Sequence, residues 1–433
     1  MSISYLKAYM QFWNIKNKLL LILVVTCLQL QAQENSPYSR YALGNLRDPE
    51  NIANRGMGGV SLADLNFLSI NTSTPASYAS LKLATYQLGL TSHFTTIKSN
   101  NTSSRVGKST ISYVNFAFPV ANNVGLSFGI LPYTSMRYNM SANDTNAYAQ
   151  SIVTNSFYGG GGVQRLYLGA AYKISNFYIG FNSGYQFGNI TNARESKFTD
   201  SLNILANNIY GRTVLNGFFW QGGAIYDYAI NDDYNFKIGA TFSGSQKLNA
   251  KKEMYWESYF NDMDNIVSRP DSVMNLKGKI QLPMQTGVGI MVSYQDKWQI
   301  GADFNYSDWK KFSSYGINDS TNNIYSIKIG GAYTPDPSSI TNALKRSIYR
   351  VGFYTGKDIF TFNEFQISKT GATLGFGYPL KRSSQTRQIG MINFCLDIGS
   401  RGKAANSLLK ENYTHFSIGF TLNDKWFLKR RYD

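Results

Sequence analysis

The stretch that decides the fold is Phe177-Tyr178-Ile179-Gly180-Phe181-Asn182-Ser183-Gly184-Tyr185-Gln186-Phe187-Gly188. Large apolar residues occupy nearly every second position, and mostly small or polar residues stand between them. Successive side chains of a β-strand point to opposite sides, so one face of this strand is apolar and the other polar. The stretch therefore predicts a strand that separates an apolar environment from a polar one.

Similar patterns recur about fourteen times along the chain. A soluble sandwich also alternates, but here the pattern follows a secretory signal, and no later apolar run is long enough for a membrane helix. The sequence therefore predicts an all-β fold, a transmembrane antiparallel β-barrel of about 14 strands in the bacterial outer membrane. The predicted strands are residues 84–97, 108–119, 123–136, 163–174, 177–189, 213–230, 234–249, 278–294, 298–313, 324–334, 348–356, 370–379, 387–399 and 413–424.

The connectors between these strands alternate in length, which gives an independent check. Tight connectors at 120–122, 175–176, 231–233 and 295–297 alternate with long ones at 137–162, 190–212, 250–277 and 400–412. Short periplasmic turns and long outer loops are the rule for such barrels, and the rule places both termini in the periplasm. The segment 335–347 is too long for a periplasmic turn, and we expect a helical turn at 340–346. The stretch 254–260 is interpreted as a helix packed on the barrel rim rather than a partner site.

The N-terminal residues 1–32 have the pattern of a signal peptide. Lys7, Lys16 and Lys18 precede the apolar run 19–25, and Leu30-Gln31-Ala32 is a suitable cleavage site. The apolar run is far too short to span a bilayer. The predicted organisation is a signal peptide (1–32), an N-terminal plug or hatch (33–83), the barrel (84–424) and a basic C-terminal tail (425–433).

Residues 33–83 differ from the rest of the chain because they are rich in turns and do not alternate. Such a segment before a barrel is either a periplasmic tail or a plug in the lumen. The plug is favoured because the large apolar side chains of the segment need burial. These are Met57, Val60, Leu62, Leu65, Phe67, Leu68 and Ile70. The strand glycines Gly180, Gly184 and Gly188 lie on the inner face, where they either leave room for the plug or mark kinks, and room for the plug is favoured.

Charge and cysteine content limit the possible partners. The net charge of +16 falls to about +13 when the three signal lysines are removed. The cations are scattered and no nucleic-acid motif is present, so contact with outer-membrane lipid and lipopolysaccharide phosphate is favoured over nucleic acid. If Cys27 leaves with the signal, Cys395 is the only cysteine of the mature chain, which excludes an intramolecular disulfide.

Two regions resemble the FadL-like family, the long-chain fatty acid and hydrocarbon transporters of the outer membrane. One runs from Gln281-Leu282-Pro283 through Gly287-Val288-Gly289 and residues 298–304 to Ser307-Asp308-Trp309-Lys310-Lys311-Phe312, and is similar to a strand pair of that family. The other is Arg55-Gly56-Met57-Gly58-Gly59 with Ala63-Asp64 and Thr74-Pro75-Ala76, which resembles the hatch of that family. The end of the chain, residues 421–431, resembles relatives from Bacteroidota-type bacteria.

The resemblance implies a fourteen-stranded barrel with a plug. It marks as site residues the hatch positions Arg55, Gly56, Gly58, Gly59, Asp64, Thr74, Pro75 and Ala76, and the strand-pair positions Pro283, Gly287, Asp303, Trp309 and Phe312. Thr74 stands where the family has the Asn of an Asn-Pro-Ala turn, so we expect a weakened cap. The implied function is uptake of hydrophobic small molecules such as fatty acids. The alternative is a non-transporting accessory or scaffold subunit of an outer-membrane secretion or protein-assembly machine, with outer-membrane protein partners.

The chemistry for an enzyme is sparse. His93 and His415 are the only histidines, and both have the polar-face parity of the first and fourteenth strands, which are neighbours in a closed barrel. They are interpreted as two polar lumenal residues rather than a pH-sensitive contact. An outer-membrane acyl hydrolase would need a nucleophile near a lipid-facing histidine, and neither histidine has that parity. The sequence predicts no catalytic residue, no cofactor and no metal site.

Overall fold

Fourteen antiparallel strands form a closed barrel in the computed structural model, within the residues that it describes. These residues are 36–99, 102–146, 151–198, 204–260, 266–319, 321–362, 365–380, 389–403 and 409–425. The strands are β1 Ala84–Lys98, β2 Ser103–Ala121, β3 Val124–Asn146, β4 Ser151–Ile174, β5 Phe177–Phe198, β6 Leu205–Ala229, β7 Tyr234–Ser243 and Gln246–Phe260, β8 Ile266–Leu282 and Gln285–Tyr294, β9 Trp298–Ser307, β10 Ile324–Tyr333, β11 Ile348–Phe362, β12 Phe365–Pro379, β13 Ile389–Arg401 and β14 Lys410–Asp424.

Each strand pairs with the next along the chain, and the last strand pairs with the first. β14 pairs with β1 over their full lengths, from Lys410 opposite Lys98 to Asp424 opposite Ala84. The ring therefore has no free edge along this seam, as a sheet in lipid requires. The predicted closed barrel of about 14 strands is confirmed.

The two faces of the strands follow the predicted parity. On β5, Phe177 and Phe181 are 54% and 50% exposed, whereas Asn182 is 3% exposed and Gln186 is fully buried. Exposed apolar side chains on the outer face fit contact with lipid tails. The register read from the sequence is confirmed for this strand.

The described residues contain no helix with the length and apolar character needed to cross a membrane.

The short connectors agree with the sequence, but the long ones do not. Residues 122–123, 175–176, 230–233 and 295–297 are tight turns. Much of the expected loops is instead strand, because β3 to β6 continue for 22 to 25 residues each. The helix expected at 254–260 is wrong, since this stretch lies in the second part of β7. Within residues 340–346, where a helical turn is expected, residues 343–346 form a turn that does not extend into a helix.

The described part of the N-terminal segment runs inside the barrel before it enters β1. It contains two 3₁₀ helices, Pro37–Arg40 and Pro75–Ser80, and one turn of α-helix, Ile52–Arg55. A two-residue strand, Asn45–Leu46, pairs with Ser135 and Thr134 of β3. The connector after β9 also folds locally, with a 3₁₀ helix Trp309–Lys311 and two short strands, Ser313–Ser314 and Ile317–Asn318.

Apolar side chains pack at two levels inside the lumen. The upper core lies between the long strands, the start of the N-terminal segment and the connector after β9. It contains Tyr38, Leu43, Tyr133, Met136, Tyr138, Val163, Ile190, Leu215, Leu248, Ala250, Ile280, Leu282, Trp309, Phe312, Ile359, Phe360 and Ile367. The lower core joins the rest of the segment to the barrel wall, and its members include Ile52, Ile70, Ala76, Tyr78, Tyr113, Tyr167, Phe219 and Ile225. A smaller cluster of Met57, Val60, Ala63 and Met291 lies beside the lower core.

The two ends of the described chain lie at opposite ends of the barrel. The Ser36 amide donates to the Arg137 carbonyl over 3.0 Å, and the Ser36 hydroxyl donates to Glu411 Oε1 over 2.6 Å. Glu411 lies at the long-connector end of β14, whereas Asp424 pairs with Ala84 at the short-turn end. The expected periplasmic position remains a prediction for the C-terminal end. Ser36 lies at the opposite end from Asp424, because the segment runs through the lumen before β1 begins.

Candidate functional site

The barrel wall accepts the N-terminal segment through inward-facing glycines. A Cβ atom added at Gly352 would overlap Gly58 and Met57, and one added at Gly180 would lie 2.5 Å from the Ala76 nitrogen. Such close approach of two backbones leaves no space for a side chain. The expectation that strand glycines make room for the segment is confirmed at Gly180.

The same expectation is wrong for the two other glycines of β5. A Cβ atom at Gly184 would meet the Leu166 carbonyl, and one at Gly188 would meet the Gly162 carbonyl. Both contacts are with the neighbouring strand β4 rather than with the N-terminal segment. Alternation along one strand shows which glycines face inward, but it does not show what they meet there.

Asp303 of β9 holds the segment by its backbone. Its Oδ2 atom accepts hydrogen bonds from the amides of Ser61, at 2.7 Å, and Leu62, at 3.0 Å. Asp303 is 2% exposed, and its partner in β8, Gly289, leaves space for the carboxylate and the Leu62 side chain. Two of the predicted site regions, the strand pair and the hatch, therefore meet at this carboxylate.

A second contact joins the Gly-rich turn to β12. The Thr373 hydroxyl donates to the Gly56 carbonyl over 3.0 Å and accepts from the Gly58 amide over 2.8 Å. Gly58 and Gly59 have φ angles of +71° and +87°, which favour glycine. A Cβ atom at Gly59 would also lie 3.2 Å from the Lys328 side chain. The predicted glycines are thus explained by turn geometry and close packing.

The charged residues predicted in the hatch have polar partners. Arg55 donates from Nη1 to the Thr91 hydroxyl and from Nη2 to the Asp48 carbonyl, each over 3.2 Å. Asp64 Oδ2 accepts from Asn54 Nδ2 over 2.8 Å. Burial raises the pKa of the Asp64 carboxyl, and the Asn54 hydrogen bond partly opposes that rise.

The turn at Thr74 departs from the expected cap. Its hydroxyl donates to the Leu62 carbonyl over 3.0 Å and makes no capping hydrogen bond to the 3₁₀ helix that follows. The cap expected to be weakened is therefore absent, because threonine uses its hydroxyl within the segment. Pro75 and Ala76 begin that helix, with the Pro75 ring against Gly223.

The remaining strand-pair residues position the wall and the upper core. Pro283 lies in the break between the two parts of β8, where it interrupts no ladder. Gly287 faces the Leu62 side chain. Trp309 and Phe312 are 0% and 1% exposed, with ring centroids 5.3 Å apart. These two residues anchor the connector after β9 in the upper core.

Sequence reasoning did not find the ion pairs between the segment and the wall. Glu50 pairs with Lys328, and both side chains are nearly buried. Asp48 lies 3.5 Å from Lys369 in a more exposed pair. The members of each pair are about three hundred residues apart, so spacing gives no signal. Their inward parity on β10 and β12 was the only available clue.

The two histidines face the lumen and meet across the seam. His93 lies opposite His415, with ring centroids 4.5 Å apart. His415 Nδ1 is 3.2 Å from Asp397 Oδ2, and the Tyr354 hydroxyl donates to Asp397 Oδ1 over 2.7 Å. The predicted parity and proximity are confirmed. The geometry that the hydrolase hypothesis requires is not found at either histidine, since neither faces lipid.

A cavity of about 580 Å³ remains in the lumen beside the N-terminal segment. Its walls carry charged and polar side chains and apolar side chains in comparable measure. The charged and titratable residues include Arg47, Asp48, Glu50, Arg55, His93, Lys108, Lys328, Lys369, Asp397, Arg401, Glu411 and His415, and the apolar ones include Ile111, Leu131, Phe219, Trp220 and Phe242. Such a lining offers both charged groups and apolar surface to whatever occupies the cavity.

Comparison with known families gives a match along nearly the whole chain. The family model described as BamG matches residues 14–433. The chain belongs to the BamG family. A comparison with curated proteins found no match for this BamG-family chain.

Solved structures confirm the likeness to the FadL-like fold. A FadL homologue from Pseudomonas aeruginosa is 12% identical with a TM-score of 0.59, over 88% of this chain and 100% of that one. The toluene transporter TbuX from Ralstonia pickettii is 16% identical with a TM-score of 0.57, over 88% and 99%. The toluene transporter TodX from Pseudomonas putida is 14% identical with a TM-score of 0.57, over 89% and 100%. At these identities the likeness concerns the fold of this BamG-family barrel.

Proposed function

We propose that this protein is a non-conducting accessory barrel subunit of an outer-membrane protein-assembly machine. Membership of the BamG family supports an assembly-related role. The observation that carries the proposal is the apolar packing inside the barrel at two levels, the upper core and the lower core with its plug. A barrel packed in this way serves as a stable body whose outer surfaces bind partners.

The organisation expected from the sequence completes the proposal. A signal peptide at 1–32 directs export, residues 33–83 form the plug, residues 84–424 form the barrel and residues 425–433 form a basic tail. Residues 1–35 and 426–433 lie outside the described part of the chain. The short-turn end, with the C-terminal end of β14, faces the periplasm, as is usual for such barrels.

The character of the cavity also supports an accessory role over uptake. Sites for small apolar ligands are lined mostly by hydrophobic and aromatic side chains with few polar groups. Here ion pairs such as Glu50–Lys328 and Asp48–Lys369 border the cavity. Bringing a hydrocarbon against these charges would desolvate them without replacing their hydrogen bonds.

Purification from native outer membranes tests the proposal. A tagged copy, solubilised in mild detergent, should elute with outer-membrane assembly components at constant stoichiometry, and its deletion should lower the amounts of other outer-membrane barrels. A matched tag on an unrelated barrel of similar abundance is the control. Recovery of the protein alone, together with unchanged barrel levels after deletion, would contradict the accessory role.

Uptake of hydrophobic small molecules is the second candidate, and one feature of the wall favours it. β6 pairs with the upper part of β7 up to Asn216 and with its lower part from Gly222, so residues 217–221 lie outside both ladders. The cavity reaches Trp220 and Phe242 at this break. A side path between the lumen and lipid would pass here if Gln246, which donates to the Trp220 carbonyl over 2.8 Å across the break, moved aside.

Transport measurements separate the two candidates. Uptake predicts that gene deletion slows entry of a radiolabelled fatty acid or of toluene, and that plasmid-borne protein restores it. The accessory role predicts unchanged entry once the amounts of other outer-membrane proteins are taken into account. Slowed entry with normal barrel levels would favour uptake and exclude the accessory role as the main function.

A further inference from the structure

Four lysines project from two adjacent strands on the outer wall, above the break in β7 and β8. They are Lys247, Lys251, Lys277 and Lys279, and each is exposed. Lys251 lies directly opposite Lys277, Lys279 lies opposite Asn249, and Lys247 lies opposite Gln281. The four lysines, together with Asn249 and Gln281, form two columns on one face. We call these six residues the lysine platform.

The platform places like charges where a sheet normally avoids them. Residues directly opposite in an antiparallel pair have Cβ atoms about 5 Å apart, and like charges there are destabilising. A carboxylate relieves part of this, because Lys251 Nζ is 3.9 Å from Glu253 Oε1. That pair is long and half exposed, so it contributes little. The cluster therefore retains a net positive charge that an anion would stabilise.

The other face of the same strands makes the platform rigid. Leu248, Ile280 and Leu282 alternate with the platform residues and are buried in the upper core. A strand held by its inner face keeps its outer side chains at fixed spacing. The platform residues are therefore held in a fixed arrangement, unlike scattered surface lysines.

The position of the lysine platform along the barrel axis indicates which anion binds there. Phe218 and Phe242, 76% and 48% exposed, mark the outer apolar surface at the level of the break, and the platform begins just above it. It lies towards the long connectors, which face outward if the short turns face the periplasm. The outer leaflet there presents phosphate groups of lipopolysaccharide at the border of its apolar region, and lysine binds phosphate as a point charge.

We propose that the lysine platform of β7 and β8 binds the phosphate groups of lipopolysaccharide in the outer leaflet. Asn249 and Gln281 add amide donors for the same headgroup. The proposed site requires that the short turns of the barrel face the periplasm. It does not require either of the two functions considered above. It would fix the height of this side of the barrel in the membrane and order a lipid between the barrel and any neighbouring protein.

Binding of lipid A to the full-length protein in detergent tests the proposal. The test variant carries Lys251→Gln, Lys277→Gln and Lys279→Gln. The control carries Lys297→Gln, Lys345→Gln and Lys425→Gln, which remove the same charge at the short-turn end. At about 1 kcal/mol for each lysine near an anionic surface, the test variant should bind bisphosphorylated lipid A roughly 100-fold more weakly than the parent. The control variant should bind like the parent.

Two further measurements make the result specific. Dephosphorylated lipid A should bind all three proteins equally weakly, and millimolar inorganic phosphate should displace little lipid A from the parent. Equal affinity of the parent and the test variant would overturn the proposal, as would complete displacement by inorganic phosphate. Heat-modifiable migration confirms that each variant is folded, and the single variant Lys277→Gln replaces the triple variant if the latter does not fold.

Discussion

Replacing Asp303 by alanine should release the N-terminal segment from the wall at one point. The carboxylate accepts from two backbone amides, Ser61 at 2.7 Å and Leu62 at 3.0 Å, in a buried site. Hydrogen bonds to a charged group contribute about 1.5–3 kcal/mol each, so their loss should cost roughly 3–6 kcal/mol. Since 1.4 kcal/mol corresponds to a factor of ten, local opening should become at least about 100-fold more frequent.

Hydrogen exchange of the Ser61 and Leu62 amides measures this opening directly, because exchange reports local unfolding. Asn305→Ala is the matched control, since Asn305 lies two residues along β9 and accepts from neither amide. In Asp303→Ala both amides should exchange at least about 100-fold faster, while those of β5 and β6 stay protected. Unchanged exchange at Ser61 and Leu62, or equal acceleration in the control, would refute the role of Asp303 as a specific anchor.

Removing residues 36–80 should leave an insertable barrel that conducts ions in a planar bilayer, whereas the parent should be nearly silent; a closed truncated barrel would show that other residues seal the lumen. Trp309→Ala should lower the free energy of unfolding by about 3–5 kcal/mol, because a fully buried ring leaves a cavity, whereas exposed Lys310→Ala should change it by less than about 0.5 kcal/mol. Phe181→Arg should cost about 2–4 kcal/mol on insertion, seen as less heat-modifiable protein, while Phe181→Leu should insert normally.

Features with a local period could be predicted from the sequence. The outward parity of Phe181 follows from a two-residue repeat, and the strand count follows from repeating that pattern between turn-rich connectors. The expectation that residues 33–83 lie in the lumen followed from a different argument, since apolar side chains without alternation require burial. Each of these inferences depends on neighbouring residues alone.

The upper parts of the strands were missed because their pattern is mixed. In β7, Leu248 and Ala250 are buried, but the next residues, Lys251, Lys252 and Glu253, are all polar. A short apolar alternation followed by charge is typical of loops and helices as well as strands. Only pairing with β6 and β8 reveals that the strand continues.

The contacts that hold the segment could not be predicted because they join distant parts of the chain. Asp303 was marked by its place in a family-like motif, but its partners Ser61 and Leu62 are bonded through backbone amides, which carry no residue-type signal. The same holds for Gly352, whose need for glycine comes from the backbone of Met57 and Gly58. In each of these contacts one partner is a backbone group, so the residue type gives a signal only for the other partner.

The need for packing inside the lumen follows from the size of the barrel. An eight-stranded barrel is filled by its own inward side chains, but a fourteen-stranded ring encloses more space than its side chains can occupy. This chain supplies the missing volume from two directions, with residues 36–81 and with the connector that carries Trp309 and Phe312. The inward glycines let the added backbone approach the wall closely, so the segment and the wall pack densely where they meet. If the protein has the proposed accessory role, recognition depends on the outer surfaces of the barrel, among them the proposed lysine platform.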